Sequence, residues 1–184
     1  MNENWVKTFK NRILNFQNVQ TESLPLSIKI RASSGCFHRE HSPQAYQIID
    51  DFLQRNCKIK DFSYEEHESG PEILVALAAT SAVLTLSKSV IDLITTIIKA
   101  RSEGTKKGDR PKEALELIVR CIDNRDNYSQ EIALRIESSS PPSSQLIEDA
   151  LETSIKKLIP IREGMITGNN RKKFKNKSGG GKRK

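Results

Sequence analysis

The residues with the most chemical potential stand close together. Cys36-Phe37-His38-Arg39-Glu40-His41 sets one thiol and two imidazoles within six residues. Thiolate sulfur and imidazole nitrogen are both good zinc ligands, and a thiol beside an imidazole is the starting material of a cysteine nucleophile and its base. A closed zinc site needs a fourth ligand, which Cys57 or His67 would have to approach to supply, and no paired CxxC is present. Thiol and imidazole two residues apart in a loop rarely reach nucleophile–base geometry. The expectation is a solvated polar loop ahead of a helix, with no metal and no cofactor. His67 lies among Glu65, Glu66 and Glu68, just before Ser69-Gly70-Pro71-Glu72. Carboxylates at a helix start complement its dipole, so this cluster reads as helix-start chemistry. No GxSxG elbow, phosphate-binding loop or GxGxxG fingerprint occurs. Gly179-Gly180-Gly181-Lys182 has neither a strand before it nor a helix after it. No catalytic residue and no small-molecule substrate is assigned, and an enzyme is not expected.

Charge gives a stronger signal than chemistry. The 184 residues carry 30 basic and 23 acidic groups, a net charge of +7. Eight of the basic groups fall in the last sixteen residues, NNRKKFKNKSGGGKRK, which contain no acid. The rest of the chain is close to neutral. Arg171, Lys172, Lys173, Lys175, Lys177, Lys182, Arg183 and Lys184 are therefore the candidate contacts to an anionic partner, a nucleic acid or an anionic membrane surface. With Phe174 as its one large apolar residue, this segment cannot bury enough surface to offset its ordering entropy, and residues 161–184 read as a disordered basic tail. Three cysteines are too few, and odd in number, for a disulfide scaffold. Lys7, Lys10 and Arg12 interrupt any apolar run of a signal peptide. The expected location is cytoplasmic, with membrane association as the alternative.

The elements around these residues follow from periodicity. Trp5, Phe9, Ile13 and Phe16 make the stripe of an amphipathic helix within residues 1–22. Residues 24–32 alternate as a half-buried strand, Leu24, Leu26, Ile28, Ile30 and Ala32 facing one way and Ser27, Lys29 and Arg31 the other. Ser42-Pro43 starts a helix with Ala45, Ile48, Ile49, Phe52 and Leu53 on its apolar face, ending near Asn56. A strand follows at about 58–65. Residues 114–122 and 131–137 form a hairpin, with Leu115, Leu117, Val119 and Cys121 on one face and Ile132, Leu134 and Ile136 on one face. A last helix spans 143–159, turning Leu146, Ile147, Ala150, Leu151, Ile155 and Leu158 inward until Pro160 stops it.

Residues 73–98 contain only two charges, Lys88 and Asp92. Ser69 and Glu72 have capping-box spacing, which predicts one helix over 70–102, roughly 50 Å long. Its uncharged run, 73–87, is short of the ~20 residues that span a bilayer, and Lys88 and Asp92 fall near its middle. Val83, Leu86, Val90, Leu93 and Ile97 are spaced as a heptad seam, the candidate helix-mediated interface for self-association or a protein partner. Burial within the chain's own core and membrane insertion are the competing readings.

The predicted architecture is an α+β two-layer sandwich over residues 23–160, with about four strands, a ferredoxin-like relationship and one long apolar central helix. The two strands flanking the 43–56 helix are expected to pair in parallel.

This layout resembles the small effector-associated constant components of bacterial conflict systems. The resemblance covers about 24–159 and rests on GPEILVALAA followed by SVIDLITTIIKAR, and on ALRIESSSPPSSQLIEDALETSIKKL. It implies a non-enzymatic coupling or sensing module that accompanies effector domains such as peptidases or nucleases. The N-terminal helix and the basic tail are additions to that layout.

Overall fold

In the computed structural model, residues 3–17, 23–58, 60–78, 86–110, 113–122, 128–137 and 140–159 are described. Their order is α1 (Glu3–Gln17), β1 (Ser23–Ala32), α2 (Pro43–Arg55), β2 (Phe62–Glu65), β3 (Glu72–Ala78), α3 (Lys88–Lys106), β4 (Leu115–Ile122), β5 (Tyr128–Ile136) and α4 (Ser144–Leu158). The alternation read in 24–32 makes β1 the centre of a five-stranded sheet ordered β2-β3-β1-β4-β5. Every pairing is antiparallel. The chain is thus α+β, as expected. β1 and β2 are not parallel neighbours, because β3 lies between them. Five strands replace the four expected, since β3 comes from the segment read as the start of a helix.

That segment is the main correction. Glu72–Ala78, EILVALA, is a strand, and the helix begins only at Lys88, with Ser87 as its N-cap residue. A short apolar run fits a buried strand and a buried helix equally by periodicity alone. Pairing decides between them. β3 is hydrogen-bonded on both sides, to β1 and to β2, and a strand buried on both faces loses its alternation. Ile73, Val75 and Leu77 enter the main core, and Leu74 enters a second cluster with Phe9 and Ile122. No helix among the described residues is long and apolar enough to cross a membrane.

Helices α2, α3 and α4 cover one face of the sheet, closing a core that includes Leu26, Ile28 and Ile30 from β1, Ile49 from α2, Leu93, Ile94 and Ile97 from α3 and Leu151 from α4. The expected seam of α3 is consumed there. Val90, Leu93 and Ile97 are buried, Leu86 is half-buried against the same core, and Val83 lies outside the described residues. Val90, Leu93 and Ile97 are thus covered within the chain. Helix α1 lies on the opposite face of the sheet, with Phe9 buried against Leu74 and Ile122.

Two apolar assignments also change. A bulge between Leu117 and Ile118 sets Leu117 opposite Leu134 and Ile118 opposite Ile132, leaving Ala133 extra. The residues before the bulge therefore switch faces, and Ile132 is 50% exposed. Leu146 in the first turn of α4 is also exposed, while Ile147, Leu151 and Ile155 face inward.

Candidate functional site

The back face of the sheet, under α1, gathers charge. Alternation along β1 directs Ser27 and Lys29 there, and both are buried. Register sets Glu72 of β3 beside Lys29, Arg120 of β4 beside Ser27, and Glu65 of β2 beside Glu72. Two carboxylates side by side repel, and α1 resolves this with Arg12. Its Nε lies 2.5 Å from Glu65 Oε1 and its Nη1 3.0 Å from Glu72 Oε2. His67 Nε2, from the turn before β3, is 2.9 Å from Glu72 Oε2, and Arg120 Nη1 is 3.7 Å from Oε1. The Ser27 hydroxyl donates to Glu72 Oε1.

Lys29 Nζ donates to the carbonyl of Gly70 at 2.5 Å. Gly70 has φ +130°, and a Cβ there would sit 2.1 Å from the Ile30 carbonyl oxygen. Only glycine lets this turn approach β1 so closely.

These environments move protons. Burial alone would raise the Glu72 pKa. Hydrogen bonds from His67 and Ser27 and the charges of Arg12 and Arg120 outweigh it, bringing the carboxyl from 4.5 to about 2. Burial lowers Lys29 from 10.5 to about 8, against the attraction of Glu72. A lysine so depressed and a serine–carboxylate–imidazole set are both raw material for catalysis. The arrangement is nonetheless wrong for it. The carboxylate stands between serine and imidazole, whereas a triad has the imidazole in the middle. Ser27 and Glu72 are at most 1% exposed, and Lys29 is committed to a backbone carbonyl. The cluster is an ion-pair network that joins α1 to residues of β1, β2, β3 and β4.

The second polar group is the loop read first in the sequence. One ligand atom from each of Cys36, His38 and His41 lies within 4.8 Å of the others. Cys36 Sγ is 2.5 Å from His41 Nδ1, and the two imidazole rings are 4.5 Å apart between centroids. The thiol meets the imidazole five residues on, which spacing alone did not suggest. Cys57 and His67 are not part of this group.

Ser42 is the N-cap residue of α2, but its hydroxyl donates to the Arg110 carbonyl instead of capping. Asp109, from the turn after α3, takes over that task. Its carboxylate accepts from the backbone N–H of Gln44 at 3.2 Å and of Ala45 at 2.9 Å, where an anion meets the helix dipole.

Arg101 is buried in α3, donates to Thr105 Oγ1 and lies 5.8 Å from the Phe37 ring centroid. With Glu113 it lines a small cavity of about 10 Å³, room for roughly one water.

The anionic-partner candidates Arg171, Lys172, Lys173, Lys175, Lys177, Lys182, Arg183 and Lys184 lie outside the described residues. The back-face cluster was missed because Glu72 reads as half of a capping box and Arg12 as the polar side of a surface helix. Lys29 and Arg31 alternating in β1, with Arg120 on the same side of β4, were the available signal, legible only once strand order is known. Comparison with protein-family models, with curated proteins and with solved structures finds no match for this chain.

Proposed function

We propose that the protein is a non-catalytic accessory or coupling module that acts through protein–protein contacts, in the manner implied by its resemblance to the constant components of bacterial conflict systems. The observation that carries this reading is the state of Glu72. The carboxylate best placed for chemistry is buried and already engaged by Ser27, His67 and Arg12. Its partners come from β1, the turn before β3, and α1. Such a cluster spends its charge on holding elements together. A helix whose described contacts include Arg12 with Glu65 and Glu72 and Phe9 with Leu74 and Ile122 is also an element that a protein partner can compete for. A cytoplasmic location goes with this reading, and the coupled effector would be a peptidase or nuclease encoded nearby.

The test is co-expression of the full chain with each protein encoded beside its gene, followed by size-exclusion chromatography with light scattering. A stoichiometric complex with one of them is expected. A chain that joins none of them, yet hydrolyses a peptide or nucleic-acid substrate in a manner lost in Glu72→Gln, overturns the reading.

A second reading is favoured by one specific observation, eight basic residues without an acid at 169–184. It is non-specific nucleic-acid binding by counterion release. Affinity should fall steeply with salt and vanish when the chain is cut before Asn169. Equal affinity of residues 1–168 sinks it.

A further inference from the structure

We propose that the loop between β1 and α2 is a zinc-binding site, with Cys36, His38 and His41 as its three protein ligands and a water in the fourth position. This goes beyond the coupling role, which rests on the back face of the sheet.

The ligand set has the right chemistry. Zinc takes thiolate at about 2.3 Å and imidazole at about 2.0–2.1 Å, and three protein ligands with an open fourth position is an established coordination pattern. Around a tetrahedral zinc these bond lengths separate sulfur from nitrogen by about 3.5 Å and nitrogen from nitrogen by about 3.3 Å. The three ligand atoms here already lie within 4.8 Å of one another. One pair stands closer than the ion requires, Cys36 Sγ and His41 Nδ1 at 2.5 Å. His41 is exposed, so its ring is free to open that gap by the ~1 Å needed.

The backbone is what makes this a site instead of three polar side chains. Phe37 between the ligands and Ser42 just after them are anchored in the protein, while Cys36 and His38 are half-buried and His41 is exposed. The Phe37 side chain is fully buried beside the Tyr46 ring, and its carbonyl accepts from the Tyr46 hydroxyl at 3.0 Å. Its N–H donates to the Glu68 carbonyl at 3.2 Å. Ser42 is buried, and its N–H donates to the His38 carbonyl at 2.9 Å, while the His41 carbonyl accepts from Arg110 N–H at 2.9 Å. Gly35, at φ +78°, turns the chain out of β1 ahead of Cys36. Both ends of a six-residue loop are thereby fixed, so much of the entropy cost of gathering the ligands is met by folding.

Local charge does not oppose a cation. Arg39 is the only basic residue of the loop, and it is drawn onto Asp50, at 2.6 and 3.0 Å, and onto Glu66. The Arg39 charge is thus offset by two carboxylates.

The experiment uses the full chain, reduced and freed of metal with a chelator, and titrates cobalt(II) followed by zinc. One cobalt per chain is expected, with a thiolate-to-cobalt charge-transfer band that zinc abolishes. The band should disappear in Cys36→Ser and persist in Cys57→Ser, whose thiol is exposed and outside the group. Loss of an outer-shell group costs about 10–100-fold in metal affinity, so His38→Ala and His41→Ala should each weaken zinc by at least about tenfold. A readout without mutation is alkylation of Cys36 by iodoacetamide, mapped by mass spectrometry, which saturating zinc should slow while leaving Cys57 unaffected. Absence of the charge-transfer band, equal zinc affinity in Cys36→Ser and Cys57→Ser, or alkylation of Cys36 at the same rate with and without zinc overturns the site. In the last case the Cys36–His41 contact belongs to a free reactive thiol.

Discussion

On its helical side the sheet buries Leu26, Ile28 and Ile30 of β1 against α2, α3 and α4. One residue out of step along the same strand, Ser27 and Lys29 are equally buried on the α1 side, among Glu72, Arg12 and Arg120. Burial is alike on the two faces, but the physics differs. The apolar face is non-directional and tolerates volume-conserving exchange. The charged face depends on each partner being present, because a buried charge left alone is strongly destabilising. The apolar face specifies that a core forms. The charged face specifies which helix covers the other side, and where.

Removing the central carboxylate disturbs the charged face most directly. Glu72→Ala leaves Arg12, Lys29 and Arg120 facing one another without their shared anion, and should cost about 3–5 kcal/mol. Ile97→Ala, fully buried in the apolar core, should cost about 2–5 kcal/mol. Urea unfolding of both variants measures this. If Glu72→Ala costs less than about 1 kcal/mol, as a surface pair would, the back face is solvated and the two faces do not match in burial.

Proton linkage gives the charged face a signature that the apolar face lacks. The Glu72 pKa is depressed from 4.5 to about 2. The native state binds fewer protons than the unfolded chain in that window, so its contribution is complete above pH 4.5 and is lost as pH falls towards 2, to a total of about 3 kcal/mol. Lys29 is depressed from 10.5 to about 8. Its burial weighs against the native state below pH 8, and that penalty lifts as pH rises towards 10.5. The stability of the native sequence relative to Lys29→Met should therefore increase across pH 8–10.5, by no more than about 3 kcal/mol. Burial also raises Tyr46, Tyr64 and Tyr128, which oppose this at high pH, but both proteins share them and the difference removes them. A flat difference means that Lys29 is solvated.

The attachment of α1 sharpens the contrast further. Among the described residues, Phe9 of α1 is buried against Leu74 and Ile122, a small satellite beside the main core. Phe9→Ala should detach α1 locally without unfolding the body. Hydrogen exchange should accelerate in α1 and around Ser27 and Glu72 while protection in α3 stays unchanged. Equal acceleration in α3 would make the faces one cooperative unit.

What the sequence made legible divides along the same line. β1, α2 and α4 each carry a local signal, period 2 or 3.6 with stop residues at their ends, and the β4–β5 hairpin carries one that the bulge interrupts. β3 carries none, because EILVALA is buried on both sides, and Ser69 with Glu72 offers a false capping box. The back-face cluster joins residues 45 positions apart, as in Ser27 with Glu72, or 60 apart, as in Arg12 with Glu72. No local pattern encodes such a pairing. The Cys36 loop lies between these cases. Its residue types are plain, but their convergence depends on the anchoring of Phe37 and Ser42 by distant carbonyl and hydroxyl groups.

The smallest effect tests the least obvious feature, the bulge. Simple alternation sets Ile132, Leu134 and Ile136 on one face. With Ala133 extra, Ile136 remains buried while Ile132 turns outward and is half exposed. Ile132→Thr should change stability by no more than about 0.5 kcal/mol, as surface exchanges do. Ile136→Thr places a hydroxyl in the apolar core and should cost about 1–3 kcal/mol. Equal costs in a urea midpoint comparison would mean that β5 alternates without interruption, that Ile132 belongs to the core, and that the two faces of the sheet are assigned wrongly along that strand. A bulge is what allows one strand to serve both faces, since a period of two otherwise commits every residue after the first.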